Sequence, residues 1–111
     1  MDECLFCKIA NGEVPSTKRY ENEDFFAFDD TNPKAKTHIL VIPKKHFGSV
    51  STLKNDDFLI VGKLIKTANE IAKKEGIRSF RLVFNNGSDA GMEIDHLHLH
   101  MLGGEKSSHL Y

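Results

Sequence analysis

The chain has 111 residues, 15 basic and 16 acidic side chains, and a formal net charge of −1. That length suits one domain, expected over residues 1–111, with an ordinary core that needs no disulfides to hold it. The charge balance leaves no basic field of the kind that grips nucleic acid, and no apolar run approaches the roughly 20 residues of a membrane span.

The first segment, MDECLFCKIANGEVPS, carries acids before its first basic residue and lacks a continuous apolar region, so it does not read as a secretory signal and a cytoplasmic protein is expected. A compartment that keeps thiols reduced disfavours a structural disulfide between Cys4 and Cys7. From Cys4 to about Asn11 the pattern fits a short helix or turn, ended by Asn11-Gly12. Lys18 to Glu21 and Phe25 to Asp29 are short strand candidates around the polar turn Asn22-Glu23-Asp24, which makes a hairpin. Asp29-Asp30-Thr31-Asn32-Pro33 is a loop by composition, and Thr37 to Ile42 is an apolar, β-branched strand stopped by Pro43.

From about Asp56 to Glu75 the period changes. Phe58, Val61, Ile65, Ala68 and Ala72 recur at spacings of three and four, with Gly76 beyond the end, which predicts the one long helix. Phe80 to Phe84 reads as a strand, and Asn85 to Glu93 as a loop carrying two glycines. The chain then reaches DHLHLHMLGG, in which His96, His98 and His100 alternate with Leu97, Leu99 and Met101. That alternation predicts a half-buried strand with the imidazoles on one face and the apolar side chains on the other. The expected fold is α+β: an antiparallel sheet of about five strands with one long helix and a short N-terminal helix.

Three imidazoles on one strand face displace the β-branched residues that normally pack there. A single metal ion does not account for them, because at roughly 3.3 Å per residue the outer two Cα atoms stand roughly 13 Å apart, whereas zinc needs each nitrogen about 2 Å away. The three must divide their labour. The loop Asn85-Asn86-Gly87-Ser88-Asp89-Ala90-Gly91 has a composition that lets backbone amides approach an anion, so a phosphate-bearing small molecule is compatible with the near-zero net charge. Cys4-x-x-Cys7 alone is open between a metal half-site, a redox pair and free thiols.

Taken together, CLFCKIANGEVPS, FFAFDDTNPKAKTHILVIPKKH, FNNGSDAG and the histidine strand resemble the histidine triad family across nearly the whole chain, and the ending LHMLGG resembles its Hint branch. The resemblance implies a purine nucleoside 5′-monophosphate pocket and hydrolysis of nucleoside 5′-phosphoramidates or related conjugates through a His98-nucleotidyl intermediate. It makes His98 the nucleophile, His100 a proton donor to phosphate or leaving group, and His38 a supporting relay residue, with no cofactor required for catalysis. It places Asp30 on the ribose hydroxyls with Thr31 nearby, and Asn85, Gly91, Met92 and Glu93 along the nucleotide beside His98 and His100. It also implies that Cys4, Cys7, His46 and His96 complete a structural zinc site, and that two subunits join into a homodimer with one continuous sheet. Met92 stands where the Hint branch commonly has glutamine, Glu93 where a hydroxyl is frequent, Asp95 where an aromatic or apolar residue is usual, and Glu105 where arginine is frequent. Two other readings are a nucleotide-binding regulatory module with little turnover, and a zinc-handling protein that uses both the cysteines and the triad.

Overall fold

A computed structural model describes residues 4–106. Cys4 caps a short helix, α1 (Leu5–Ala10), its sulfur accepting the Cys7 amide at 3.4 Å. Strands β1 (Lys18–Glu21) and β2 (Phe25–Asp29) form the expected hairpin. Its turn is fixed locally, because the Asn22 side-chain oxygen accepts the amides of Asp24 and Phe25 at 2.9 and 2.8 Å. β3 (Thr37–Pro43) pairs antiparallel with β2, then two short 3-10 turns (Val50–Thr52 and Asn55–Phe58) lead into α2 (Leu59–Glu75). β4 (Phe80–Val83), a third 3-10 turn (Ser88–Ala90) and β5 (Leu99–Gly103) complete the order β1-β2-β3-β5-β4, with every pairing antiparallel. The α+β expectation is therefore met.

Strand parity sorts the sheet into two faces. Ile39, Val41, Leu99 and Met101, all 0% exposed, pack against Leu64, Ala68, Ile71 and Ala72 of α2. Phe26, Phe28, Leu40 and Ile42 form a smaller cluster on the opposite face beneath Phe6 and Ile9 of α1. His38, His98 and His100 share the parity of that second face, which among the described residues is covered by the six-residue α1 with Val14 and Ile94 beside it. One face thus carries the main core and leaves the other available for chemistry.

Two local expectations shift. The long helix buries Leu64, Thr67, Ala68, Ile71 and Ala72, whereas Phe58 and Ile65 from the expected stripe are 48% and 41% exposed. Consecutive apolar residues such as Leu64-Ile65 give the helix two apolar stripes, and the sheet selects one of them. The histidine strand also starts later than the alternation does. Its ladder with β3 begins at Leu99↔Val41, while the Leu97 amide turns away to the Phe47 carbonyl at 2.7 Å. His96 and His98 therefore sit in the extended approach to β5 rather than within its ladder.

Candidate active site and metal cluster

Hydrogen bonds assign a tautomer to each of His38, His98 and His100. His98 is buried, and its Nδ1 lies 2.7 Å from the His96 carbonyl, which can only accept. Nδ1 therefore carries the proton, and the lone pair sits on Nε2. His38 Nδ1 accepts the Lys34 amide at 3.0 Å, so its proton is on Nε2, 2.9 Å from His100 Nδ1 and 3.4 Å from an Asp30 oxygen. His100 then accepts at Nδ1 and holds its proton on Nε2, the nitrogen that lies 3.4 Å from the Asn85 amide group. The Asn85 atom nearest that nitrogen is Nδ2, and a half-turn of the amide would bring its oxygen to the imidazole N–H instead. The His98 and His100 ring centroids are 4.9 Å apart, so one lone pair and one N–H face the same region.

Burial keeps these imidazoles neutral. It lowers the pKa of His98 and of His38, and together with the neighbouring His98 and His38 it holds His100 down to about 4. A neutral His98 has its lone pair available at pH 7. The Asp30 carboxylate takes the Asn32 amide at 2.8 Å on one oxygen, which orients the group at the end of β2 on the catalytic face. Thr31 follows it and is exposed.

The loop from Asn85 to Glu93 joins β4 to the histidine segment. Gly87 and Gly91 take φ of +94° and +95°, the left-handed region in which a side chain is strained. The Met92 amide closes back on the Gly87 carbonyl at 3.1 Å, so this amide serves the loop itself. Glu93 is exposed and Met92 half-buried. Among the residues that depart from the Hint pattern, Glu105 accepts the Lys36 amide and ties the end of β5 to the loop before β3, while Asp95 is exposed.

A second cluster lies beyond His98. The ligand atoms of Cys4, Cys7, His46 and His96 all lie within 4.8 Å of one another. His96 is fully buried, and its Nε2–H donates to the Pro43 carbonyl at 2.9 Å. Its Nδ1 lone pair therefore faces Cys4 Sγ at 3.3 Å and Cys7 Sγ at 3.5 Å. His46 Nδ1 lies 3.3 Å from Cys7 Sγ. Burial and the adjacent Cys4 push the Cys7 thiol up to about 11, so a cation is what would make that sulfur a thiolate. Two sulfurs and two imidazole nitrogens converging at this range fit a tetrahedral zinc ion. The sequence joined these residues only through resemblance, since three segments far apart supply them.

Asp30, His38 and His100 also converge, within the same 4.8 Å. Their nitrogens are already engaged with one another and with the Lys34 amide, which makes the group a hydrogen-bonded array rather than an open metal site. Sequence reasoning missed Phe6, whose ring meets His98 edge to face at a centroid distance of 5.1 Å. It lies between the two cysteines in sequence, and only the folded chain brings it to His98.

Residues 3–110 match the family described as the scavenger mRNA decapping enzyme C-terminal binding domain. The chain belongs to the histidine triad (HIT) family. It is 40% identical over 104 residues to protein HitA of Neisseria gonorrhoeae, covering 93% of this chain and 97% of that one. A histidine triad protein from Clostridium difficile superposes with a TM-score of 0.96 at 46% identity, over 100% of this chain and 98% of that one. A HIT family hydrolase from Legionella pneumophila does so with a TM-score of 0.89 at 43% identity, over 94% and 95% of the two chains. A zinc-bound HIT family protein from Mycobacterium smegmatis is more distant, at 25% identity and a TM-score of 0.80 over 99% and 81%.

Proposed function

We propose that this HIT protein is a nucleotide hydrolase of the Hint branch that cleaves purine nucleoside 5′-phosphoramidates, or related nucleotidyl conjugates, through a His98-nucleotidyl intermediate. One observation carries the reading: the His96 carbonyl holds the His98 Nδ1 proton at 2.7 Å, leaving Nε2 as a free nucleophile beside the His100 N–H. Nε2 attacks the α-phosphorus, the P–N bond breaks with its electron pair on nitrogen, and the leaving amine takes its proton from solvent water. The positive charge on the phosphorylated imidazole is shared with the His96 carbonyl through Nδ1–H. His100 Nε2–H hydrogen-bonds a non-bridging oxygen or the leaving group as negative charge develops, and His38 keeps it in that tautomer. Water then breaks the P–Nε2 bond, which releases nucleoside monophosphate and restores His98.

Asp30 accepts the ribose hydroxyls, with Thr31 beside it, while Asn85, Gly91, Met92 and Glu93 border the phosphate. Cys4, Cys7, His46 and His96 hold a structural zinc ion that supplies charge and crosslinking but takes no part in bond breaking; the zinc-bound relative supports this assignment. The apolar residues Phe58, Leu59 and Ile65, which are 48%, 71% and 41% exposed, together with edge strand β4, form the homodimer contact. The protein works in the cytoplasm. A single-turnover reaction with adenosine 5′-phosphoramidate, quenched and read by intact mass, should show an adenylylated chain that His98→Ala does not form. Wild-type turnover without adduct, undiminished in His98→Ala, would refute the assignment. Nucleotide binding without turnover would favour the regulatory-module reading instead.

A further inference from the structure

The metal cluster and the nucleophile share two mechanical links. The first runs through His96. Its ring is fixed at both ends, with Nε2–H on the Pro43 carbonyl at 2.9 Å and Nδ1 against Cys4 and Cys7, and its own carbonyl accepts the His98 Nδ1 proton at 2.7 Å. The second runs through Phe6. That ring is buried between the cysteines of α1 and packs edge to face on both His98 (5.1 Å, 88°) and His96 (6.0 Å, 70°). Helix α1 has six residues, of which Phe6 and Ile9 are buried, so its own backbone bonds do little to hold it in place. His46, after β3, completes the clip, and the Phe47 carbonyl next to it takes the Leu97 amide at 2.7 Å. Two of the contacts on the His98 ring, the His96 carbonyl and the Phe6 ring, thus lead back within one or two residues to a member of the cluster, while the His100 ring at 4.9 Å stands outside it.

We propose that the Cys4/Cys7/His46/His96 cluster is a positioning device for His98, set by a divalent tetrahedral cation such as zinc, rather than a staple for stability alone. The inference rests on His98 being the nucleophile. With the cation bound, the His96 peptide and Phe6 hold the imidazole in the Nδ1–H tautomer with Nε2 aimed outward. Without it, α1 and the His96 segment relax and the ring populates the Nε2–H tautomer, which has no lone pair for phosphorus. Asp30, just after β2, and the Asn85–Glu93 loop lie outside the clip, so nucleotide affinity is largely kept. Misorientation of a reacting group costs about 10- to 100-fold in rate.

The test compares zinc-loaded protein with chelator-stripped protein, well below the melting temperature of either. Three quantities are read: the His98 tautomer from long-range proton–nitrogen spectra, adenosine 5′-monophosphate affinity by calorimetry, and the single-turnover rate on adenosine 5′-phosphoramidate. Stripping should mix the tautomers and slow the reaction roughly 10- to 100-fold, with affinity held within roughly threefold, and added zinc should restore both tautomer and rate. If stripped protein unfolds, His46→Ala and His46→Cys replace it. The alanine variant should lose zinc, tautomer order and rate, and the cysteine variant should regain them, since zinc accepts a three-sulfur, one-nitrogen set. An unchanged tautomer and rate on zinc loss overturns the proposal. A tautomer change in a protein whose His98→Ala variant still turns over refutes His98 as the nucleophile while upholding the link from cluster to imidazole.

Discussion

Replacing Asp30 by asparagine keeps the shape of the side chain and changes what it can accept. In the native protein one carboxylate oxygen takes the Asn32 amide at 2.8 Å, and the other lies 3.4 Å from His38 Nε2. A ribose that donates two hydroxyl protons needs the remaining lone pairs of both oxygens. Asparagine preserves the loop contact through its carbonyl oxygen but turns an NH2 group toward the second hydroxyl, and it removes the charge. Loss of a charge-assisted bond of this kind is worth about 1.5–3 kcal/mol, or roughly 10- to 150-fold in affinity. Calorimetry of adenosine 5′-monophosphate and its 2′,3′-dideoxy analogue on native and Asp30→Asn protein closes a cycle that isolates the hydroxyl term from any general damage. Native protein should prefer the ribonucleotide by that factor and the variant should not. Equal weakening of both ligands, with zero coupling, would remove Asp30 from the sugar.

Three other perturbations separate chemistry, stability and assembly. His98→Ala should abolish turnover while monophosphate affinity, measured by calorimetry, stays within roughly tenfold, because the group removed is the nucleophile. Acid should destabilise the fold: His100 is held at about 4 against 6.5 for the unfolded chain, so the unfolded state binds the extra proton. Stability is then fully present above about pH 6.5 and falls by up to about 3 kcal/mol as pH drops toward 4, as urea melts across that range should show. Leu59→Asp with Ile65→Asp should leave the melting temperature of the isolated chain nearly unchanged yet shift sedimentation toward monomer, since both side chains are exposed in one chain.

How much was legible in sequence depends on the distance over which each feature is decided. The β1–β2 hairpin was readable because Asn22 sets its turn within three residues. The catalytic parity was readable because a strand alternates with a period of two. The phase of α2 was not, since Leu64 and Ile65 are chemically equivalent choices until the sheet is present. The start of β5 was misplaced for the same reason: Phe47, far away in the chain, takes the Leu97 amide. Residue types named the triad, but the tautomers came only from tertiary partners, namely the Lys34 amide, the Pro43 carbonyl and the His96 carbonyl. Phe6 gave no signal, being one apolar residue of a short helix.

The two-faced sheet also sets which length changes the gene can tolerate. One codon inserted among residues 86–93 lengthens a largely exposed loop, where loop closure adds only a few tenths of a kcal/mol. The same codon inserted between His98 and His100 reverses the parity of everything before it or everything after it. Either His100 turns into the packed interface with α2 and Met101 toward the nucleotide, or the approach containing His96 and His98 is displaced from the clip and from the Pro43 carbonyl. Variation in chain length among relatives should therefore collect in the loop and stop abruptly at the histidines, a pattern imposed by backbone geometry before any selection on the reaction itself.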